Sequence, residues 1–230
     1  YLDWNASEPL RPEAREALAA SLGMVGNPSS VHAEGRAARA LVEAARSDVA
    51  HLVGADADDV YFTSGASEGN AWVVRSGWDA ILAADIEHDS MLQAVDASKA
   101  PRLRVPVDSN GIVQPDAVAA ALQSVGPGRA LVALQVANNE TGVIQPVADI
   151  SAVARAYGAH VLCDAAQAGG RIAVDIASLG VDYLVLSAHK LGGPKGTGAV
   201  ITGPVAPSLS PLIPGGGQER RQRGGTENVA

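Results

Sequence analysis

A lysine beside a glycine-rich turn is the residue of this sequence that most directly suggests chemistry. Lys190 follows the apolar run 183–187, which predicts a buried strand, and Ser187 and His189 stand next to it. A lysine amine can form a Schiff base with a carbonyl when burial or nearby positive charge lowers its pKa. A surface lysine in a hairpin loop is the alternative, and this stretch alone favours neither.

An aspartate at the end of another predicted strand would complement that lysine. Asp164 follows the run 159–163, and its carboxylate could pair with a cationic ring nitrogen or merely cap the next helix. Gln167, one turn further on, could donate to a ring oxygen. The 26 residues from Asp164 to Lys190 leave room for one crossover connection, so we expect the two side chains on neighbouring strand ends in one cleft.

Polar residues follow three further predicted strands. The turn 64–68 precedes a helix, so its free N–H groups and the Ser67 hydroxyl could cradle a phosphate, although an ordinary helix cap is the commoner use of such a turn. Asn139 precedes a glycine turn and could shape that turn or touch a ligand. His88 would face the same cleft, or it could be structural.

These four features are together what a pyridoxal 5'-phosphate site needs. They are a Schiff-base lysine, an acid for the pyridinium nitrogen, a phosphate site at a helix N-terminus and a histidine that stacks on the ring. Each signal is modest alone, but all of them occur at strand ends in this sequence. The sequence therefore predicts this cofactor, and it predicts no metal site.

Strands and helices alternate along the chain and must position these residues. This alternation predicts an α/β fold with a mostly parallel seven-stranded sheet, helices on both faces and ligands at the carboxyl ends of the strands. The predicted strands are 60–63, 80–84, 102–105, 130–136, 160–163, 183–187 and 199–202, and the predicted helices are 12–22, 34–53, 67–77, 89–97, 115–124 and 147–157.

The helix predicted at 34–53 is strongly amphipathic. Its apolar face should include Leu41, Val42 and Leu52, and Arg46 should lie away from that face. Gly54 should end the helix.

Composition and charge exclude several classes of protein. A net charge of -8 argues against nucleic acid or an anionic membrane as the main partner, and no apolar run is long enough to span a membrane. The single cysteine, Cys163, excludes an internal disulfide framework and favours a reducing, cytoplasmic location. Alternation along its strand should turn Cys163 away from Asp164, into the core, with a raised pKa.

The whole chain resembles the cysteine desulfurases of the NifS/IscS kind, which are class V of the fold-type I pyridoxal-phosphate enzymes. Many matching runs occur in the same order, which makes the resemblance specific. The matching runs are Tyr1–Asp3, Asn27–Ser30 with His32, Thr63–Glu68, Glu87–His88, Asn138–Gly142, Asp164–Gln167, Ser187–Lys190 with Gly193–Gly196, and Gly215–Glu219 with Arg223–Thr226.

The resemblance implies a role for each candidate residue. Lys190 would hold the cofactor as a Schiff base and later move the substrate's Cα proton. Asp164 would pair with the pyridine nitrogen, and His88 would stack on the ring. Asn139 and Gln167 would contact the ring substituents. The phosphate would be bound by Ala66, Ser67, Ser187 and His189.

The resemblance also implies the organisation of the protein. Residues 1–15 would be an N-terminal segment, 16–203 the cofactor-binding large domain, and 204–230 a loop leading toward a smaller C-terminal domain. That domain would carry the mobile-loop cysteine that takes sulfur as a persulfide and an arginine for the substrate carboxylate. Thr226 would reach the phosphate of the neighbouring subunit, which implies a homodimer.

The function implied by the resemblance is PLP-dependent conversion of L-cysteine to L-alanine. The sulfur would be loaded on a cysteine for iron–sulfur cluster assembly or another sulfur carrier, so a sulfur-acceptor or scaffold protein is an expected partner. A selenocysteine lyase or an aminotransferase on the same scaffold is an alternative. A non-catalytic scaffold protein is another, which an intact Lys190, Asp164 and His88 argue against.

Overall fold

A single seven-stranded sheet runs through the computed structural model, which describes residues 1–230. The strands are β1 (Val60–Thr63), β2 (Ala80–Ala83), β3 (Arg102–Arg104), β4 (Ala130–Gln135), β5 (His160–Asp164), β6 (Tyr183–Ser187) and β7 (Gly198–Thr202). Their spatial order is β1-β7-β6-β5-β4-β2-β3, and only β7 runs against its neighbours. The predicted mostly parallel sheet of seven strands is confirmed.

Seven α-helices accompany the strands. They are α1 (Pro12–Ser21), α2 (Ala33–Val53), α3 (Ala66–Val74), α4 (Asp89–Asp96), α5 (Pro115–Gln123), α6 (Val147–Ala156) and α7 (Ile176–Leu179). The first six match the predicted helices, apart from small shifts at their ends. The sequence did not predict α7, because four residues are too few to show a helical period. None of these helices combines the length and the apolarity that crossing a membrane requires.

The two faces of the sheet carry separate apolar cores. One core joins the sheet to α2, α5, α6 and α7, and the other joins it to α3 and α4. Successive residues of a strand point to opposite faces, so Leu162 packs under α3 and α4 while Cys163 packs in the other core. Cys163 is fully buried, and this burial raises the pKa of its thiol well above the ordinary value.

The buried face of α2 differs from the predicted one. Val42 is buried as expected, and the helix ends at Gly54 with a left-handed φ of 67°. Leu41 and Leu52, however, are 39% and 43% exposed, whereas Arg46 is 4% exposed. The prediction for Arg46 was wrong because a buried glutamate far along the chain compensates its charge.

The chain after β7 folds back onto the sheet. The Tyr183 hydroxyl donates to the carbonyl of Pro207 at 2.6 Å, and the Trp72 indole N–H donates to the carbonyl of Ser210 at 2.7 Å. The following residues pack along β1, which is an edge strand. The segment predicted as a loop at 204–230 is therefore irregular but anchored to the large sheet. At the other end, the boundary proposed between residues 15 and 16 falls inside α1.

Candidate active site

A cleft of about 1050 Å³ opens at the carboxyl ends of the parallel strands. Six strands point the same way, and the turns after five of them, all except β3, deliver polar side chains to the cleft. Nine of the ten residues predicted from the sequence line it. They are Ala66, Ser67, His88, Asn139, Asp164, Gln167, Ser187, His189 and Lys190.

The start of α3 forms an anion cradle at one end of the cleft. The backbone N–H groups of Ala66, Ser67 and Glu68 make no hydrogen bond within the chain, as expected for the first turn of a helix. Gly65 precedes them with φ of 151°, and a Cβ on Gly198 would lie 2.6 Å from its Cα, so both positions require glycine. Free N–H groups and the helix dipole together favour a phosphate here.

Two serine hydroxyls add to this cradle. Ser67 belongs to α3 and Ser187 ends β6, and both line the cleft. Neither hydroxyl has a hydrogen-bond partner within the chain. Both are therefore free to donate to an oxyanion bound at the helix start.

Asp164 is a buried carboxylate that faces the cleft from the end of β5. It is 6% exposed. The Asn70 side-chain amide donates to Oδ2 at 2.8 Å, and the backbone N–H of Ala166 donates to Oδ1 at 2.9 Å. No basic side chain forms an ion pair with it. A buried negative charge without a cation is costly, so this position suits a ligand that brings a positive charge.

Lys190 follows β6 in a short 3₁₀ turn, on the strand next to Asp164. Its ammonium group donates to the backbone carbonyl of Asn5, which belongs to the N-terminal segment over the cleft. Burial lowers the pKa of Lys190, and the positive charge of Arg171 lowers it further. A lysine in this state supplies neutral amine more readily, as nucleophilic and proton-transfer chemistry requires.

The neighbouring His189 shares this environment. Burial lowers its pKa, and the charges of Lys190 and Lys195 act in the same direction. Its Nδ1 lies 3.4 Å from the Ser7 hydroxyl. A neutral imidazole at this place can still donate one hydrogen bond into the cleft.

His88 caps the start of α4 at the opposite wall of the cleft. Its Nδ1 accepts the backbone N–H of Ser90 at 3.0 Å, which fixes the ring and leaves Nε2 free. Gln167 is already engaged, because its amide donates to the Asn5 carbonyl at 2.9 Å and accepts from Arg171 at 2.7 Å. Asn139 donates to the Glu140 carboxylate at 2.7 Å.

The structure also brings forward residues that sequence reasoning did not select. Asn70 is fully buried and holds Asp164, and Arg171 ties Asn5 to Gln167. Glu87 is 5% exposed, and neither carboxylate oxygen has a hydrogen-bond partner. Two of them had a signal in the sequence, because Asn70 lies one helical turn after Ala66 and Glu87 directly precedes His88 in a run that carries the resemblance.

Thr226 is the one predicted residue that the single chain does not bring into the cleft. It lines an adjacent groove of about 230 Å³, which shares Ser64 and Gly196 with the cleft. The groove thus lies behind the anion cradle. The predicted contact of Thr226 with a neighbouring subunit stays a prediction.

The cleft fits pyridoxal 5'-phosphate part by part. The cradle suits the phosphate, the uncompensated Asp164 suits the ring nitrogen, and Lys190 suits the aldehyde. With the sheet described above, they define the large domain of a fold-type I pyridoxal-phosphate enzyme. The chain belongs to the aminotransferase class-V family, whose sequence profile matches residues 1–230.

Within that family the similar proteins are of the NifS/IscS kind. Cysteine desulfurase IscS of Dictyoglomus turgidum is 39% identical over 100% of this chain and 60% of its own length. The X-ray structure of a NifS-like protein from Rickettsia africae superposes with a TM-score of 0.94 at 34% identity, over 100% of this chain and 64% of that one. A selenocysteine lyase of Bos taurus is 36% identical over 100% of this chain and 61% of its length. The chain thus spans about 60% of the curated relatives.

Proposed function

We propose that this chain is the cofactor-binding part of a cysteine desulfurase, which takes sulfur from L-cysteine and leaves L-alanine. The observation that carries the proposal is the pairing of two groups on neighbouring strand ends. Asp164 is a buried carboxylate without a cation, and Lys190 is a lysine with a lowered pKa. When bound, pyridoxal phosphate supplies an electron sink that stabilises negative charge at the substrate's Cα.

Each part of the cofactor has a matching group in the cleft. Asp164 would pair with the ring nitrogen by a charge-assisted hydrogen bond, and Asn70 would keep the carboxylate in place. His88 would stack on the ring, while Asn139 and Gln167 would contact its substituents. The phosphate would be held by Ala66, Ser67, Ser187 and His189, all of which line the cleft.

Lys190 would act twice, first as the point of attachment and then as the base at Cα. Its lowered pKa favours the neutral amine that proton abstraction needs. Its present partner is the Asn5 carbonyl, which accepts a hydrogen bond but cannot take the proton. His88 is a second proton-transfer group, because Ser90 fixes one ring nitrogen and leaves the other free.

The sulfur acceptor is not among these 230 residues in this proposal. Cys163 is the only cysteine, and its burial and raised pKa disfavour the exposed thiolate that the role requires. A cysteine outside these residues would therefore carry the persulfide and pass sulfur to an acceptor or scaffold protein of iron–sulfur assembly. The proposal includes a homodimer completed by Thr226 and a cytoplasmic location.

The attachment of the cofactor provides the test. The chain is incubated with pyridoxal phosphate and reduced with borohydride, and the labelled peptide is identified by mass spectrometry. We expect the label on Lys190 in the unmodified chain and no label in Lys190→Ala. Lys195→Ala is the matched control, because Lys195 lines the same cleft, and we expect its label to be unchanged. Label on Lys195, or none on the unmodified chain, would contradict the proposal.

A selenocysteine lyase is the second candidate, since one relative bears that name. Both reactions would use the same groups of this chain, and they differ in the atom removed from Cβ. The protein with its full reading frame is incubated with L-cysteine or L-selenocysteine, and alanine is measured. Alanine from selenocysteine alone would favour the second candidate, and a keto acid would instead indicate an aminotransferase.

A further inference from the structure

The segment 212–224 forms a closed loop against the edge of the sheet, and we call it the edge loop. Its base is closed by two backbone hydrogen bonds, from the N–H of Leu212 to Gln222 at 2.9 Å and from the N–H of Gly224 to Ile213 at 2.8 Å. It lies against β1, whose outer edge has no strand beside it.

Side chains replace the missing strand at this edge. The N–H of Phe62 donates to Glu219 at 2.9 Å, and the carbonyl of Val60 accepts from Arg46 at 2.7 Å and from Arg220 at 3.2 Å. Arg46 and Glu219 also form a bidentate ion pair at 2.9 and 3.0 Å, and their side chains are only 4% and 3% exposed. The edge loop is therefore fixed in place by buried, charge-assisted contacts.

The backbone of the edge loop is strained where it is fixed. Glu219, Arg220 and Arg221 are consecutive and have φ of 40, 53 and 69°, in the left-handed region that residues other than glycine disfavour. Such a backbone persists only where the surrounding contacts determine it. Here those contacts are the Arg46–Glu219 ion pair and the hydrogen bonds of Glu219 and Arg220 to β1.

The edge loop reaches the anion cradle through one ion pair. Arg223 Nε donates to Glu68 Oε1 at 2.9 Å, and the other oxygen of Glu68 accepts the backbone N–H of Ser64 at 2.8 Å. Ser64 begins the turn that Gly65 continues into α3. Burial would raise the pKa of Glu68, but hydrogen bonds from Arg223 and Ser64 lower it overall, so the carboxylate is charged.

A charged glutamate beside a phosphate site is unfavourable unless its charge is compensated. Glu68 lines the cleft in the first turn of α3, whose N–H groups would bind the phosphate. Arg223 cancels that charge and pulls the carboxylate toward the edge loop. Glu68 also accepts the Ser64 N–H, so the shape of the cradle and its electrostatic potential both depend on the Arg223–Glu68 ion pair.

We propose that Glu68 and Arg223 are positioning residues that hold the turn 64–68 in its phosphate-binding shape. Both act through the cradle, and their connection makes the edge loop a part of the cofactor site. This inference rests on the proposed function, since it names how that site secures its phosphate. Glu68 and Arg223 would then govern recognition of the phosphate, whereas Asp164 and Lys190 would govern recognition of the ring.

The test compares pyridoxal phosphate with pyridoxal, which lacks the phosphate. Binding of each to the chain is followed by absorbance titration. We expect Arg223→Gln to weaken pyridoxal phosphate about ten-fold and pyridoxal less than two-fold. Adding Glu68→Gln to that variant should recover part of the affinity, because it removes the uncompensated charge. Asp58→Asn is the matched control, since the Arg220–Asp58 pair also ties down the edge loop but does not touch Glu68.

Equal losses for the two ligands would reveal a merely structural effect and would overturn the proposal, as would an unchanged affinity for pyridoxal phosphate. A second measurement keeps the test independent of the proposed function. Hydrogen exchange of the Ser64 amide, measured without ligand, should be at least several-fold faster in Arg223→Gln than in Asp58→Asn. If the unmodified chain binds neither ligand, the proposed function fails, and the exchange rates alone decide whether Arg223 positions the turn.

Discussion

Replacing Glu219 with glutamine removes the negative charge that faces the buried guanidinium of Arg46. The two side chains are 3% and 4% exposed, so water cannot take the place of the lost carboxylate. Burial alone would lower the pKa of Arg46, and the variant loses the hydrogen bonds and charge of Glu219 that raise it, but a guanidinium is not deprotonated at ordinary pH and stays charged. Glu219→Gln therefore leaves this buried charge with only the exposed carboxylate of Glu43 as an ionic partner.

The magnitude follows from the contacts that are lost. Removing one partner of a buried ion pair lowers the free energy of unfolding by about 3–5 kcal/mol. The hydrogen bond from the Phe62 N–H to Glu219 is weakened as well. For a chain of this size that cost lowers the melting temperature by about 6–20 °C. Urea and thermal unfolding, followed by circular dichroism, measure both quantities.

A matched control is available on the same arginine. Glu43 also pairs with Arg46, at 3.3 Å, but its side chain is 54% exposed, so Glu43→Gln should cost at most about 1 kcal/mol. If Glu219→Gln were no more destabilising than Glu43→Gln, the pair would contribute little and the reasoning about the edge loop would be wrong.

Three further outcomes are expected. Asp164→Asn should fold normally, because the free Oδ1 of Asn70 can accept a hydrogen bond from the new side-chain amide. The variant should nevertheless slow Cα-proton exchange in the full-length protein by about 100-fold or more. A near-normal rate would count against the contact between Asp164 and the pyridine nitrogen. Cys163 in the native chain should resist a thiol reagent, and neither the chain nor Cys163→Ser should form persulfide from L-cysteine; turnover in the unmodified chain alone would make Cys163 catalytic. Burial, and then the charge of Asp164, raise the pKa of Glu87 well above its ordinary value, so its contribution to stability is present below that value and declines as pH rises. As pH rises above the ordinary pKa of glutamate, Glu87→Gln should therefore gain in unfolding free energy relative to the unmodified chain, by up to about 1.4 kcal/mol per pH unit, and a difference that does not change with pH would show that Glu87 is ionised throughout.

The fold was largely predictable because its signals are local. Apolar runs marked every strand except β3, whose sequence is Arg-Leu-Arg, and the parallel arrangement brings the turns after the six parallel strands to one edge. That rule placed Asp164 and Lys190 in one cleft without any knowledge of their contacts. The sequence could not predict which strand would be reversed, since β7 is as apolar as the parallel strands.

The unpredicted features depend on pairs that are distant in sequence. Helical periodicity placed Arg46 on the solvent side of α2, because periodicity cannot register a partner 173 residues away. The link from Arg223 to Glu68 spans 155 residues and is equally invisible. Buried polar contacts have no period, so the sequence alone could not show that Glu219 and Arg223 would tie the segment after β7 to Arg46 and Glu68.

The position of β7 between β1 and β6 has a consequence for synthesis of the chain. β1 ends at residue 63, and its only neighbouring strand begins at residue 198, about 135 residues later. At ordinary rates of translation the first strand waits on the order of ten seconds for its partner. Arg46 is made before β1 and can meet the Val60 carbonyl early, whereas Glu219 emerges only after β7. In the nascent chain β1 is therefore an unpaired apolar strand until β7 has left the ribosome, and this is the stage at which a chaperone would bind it.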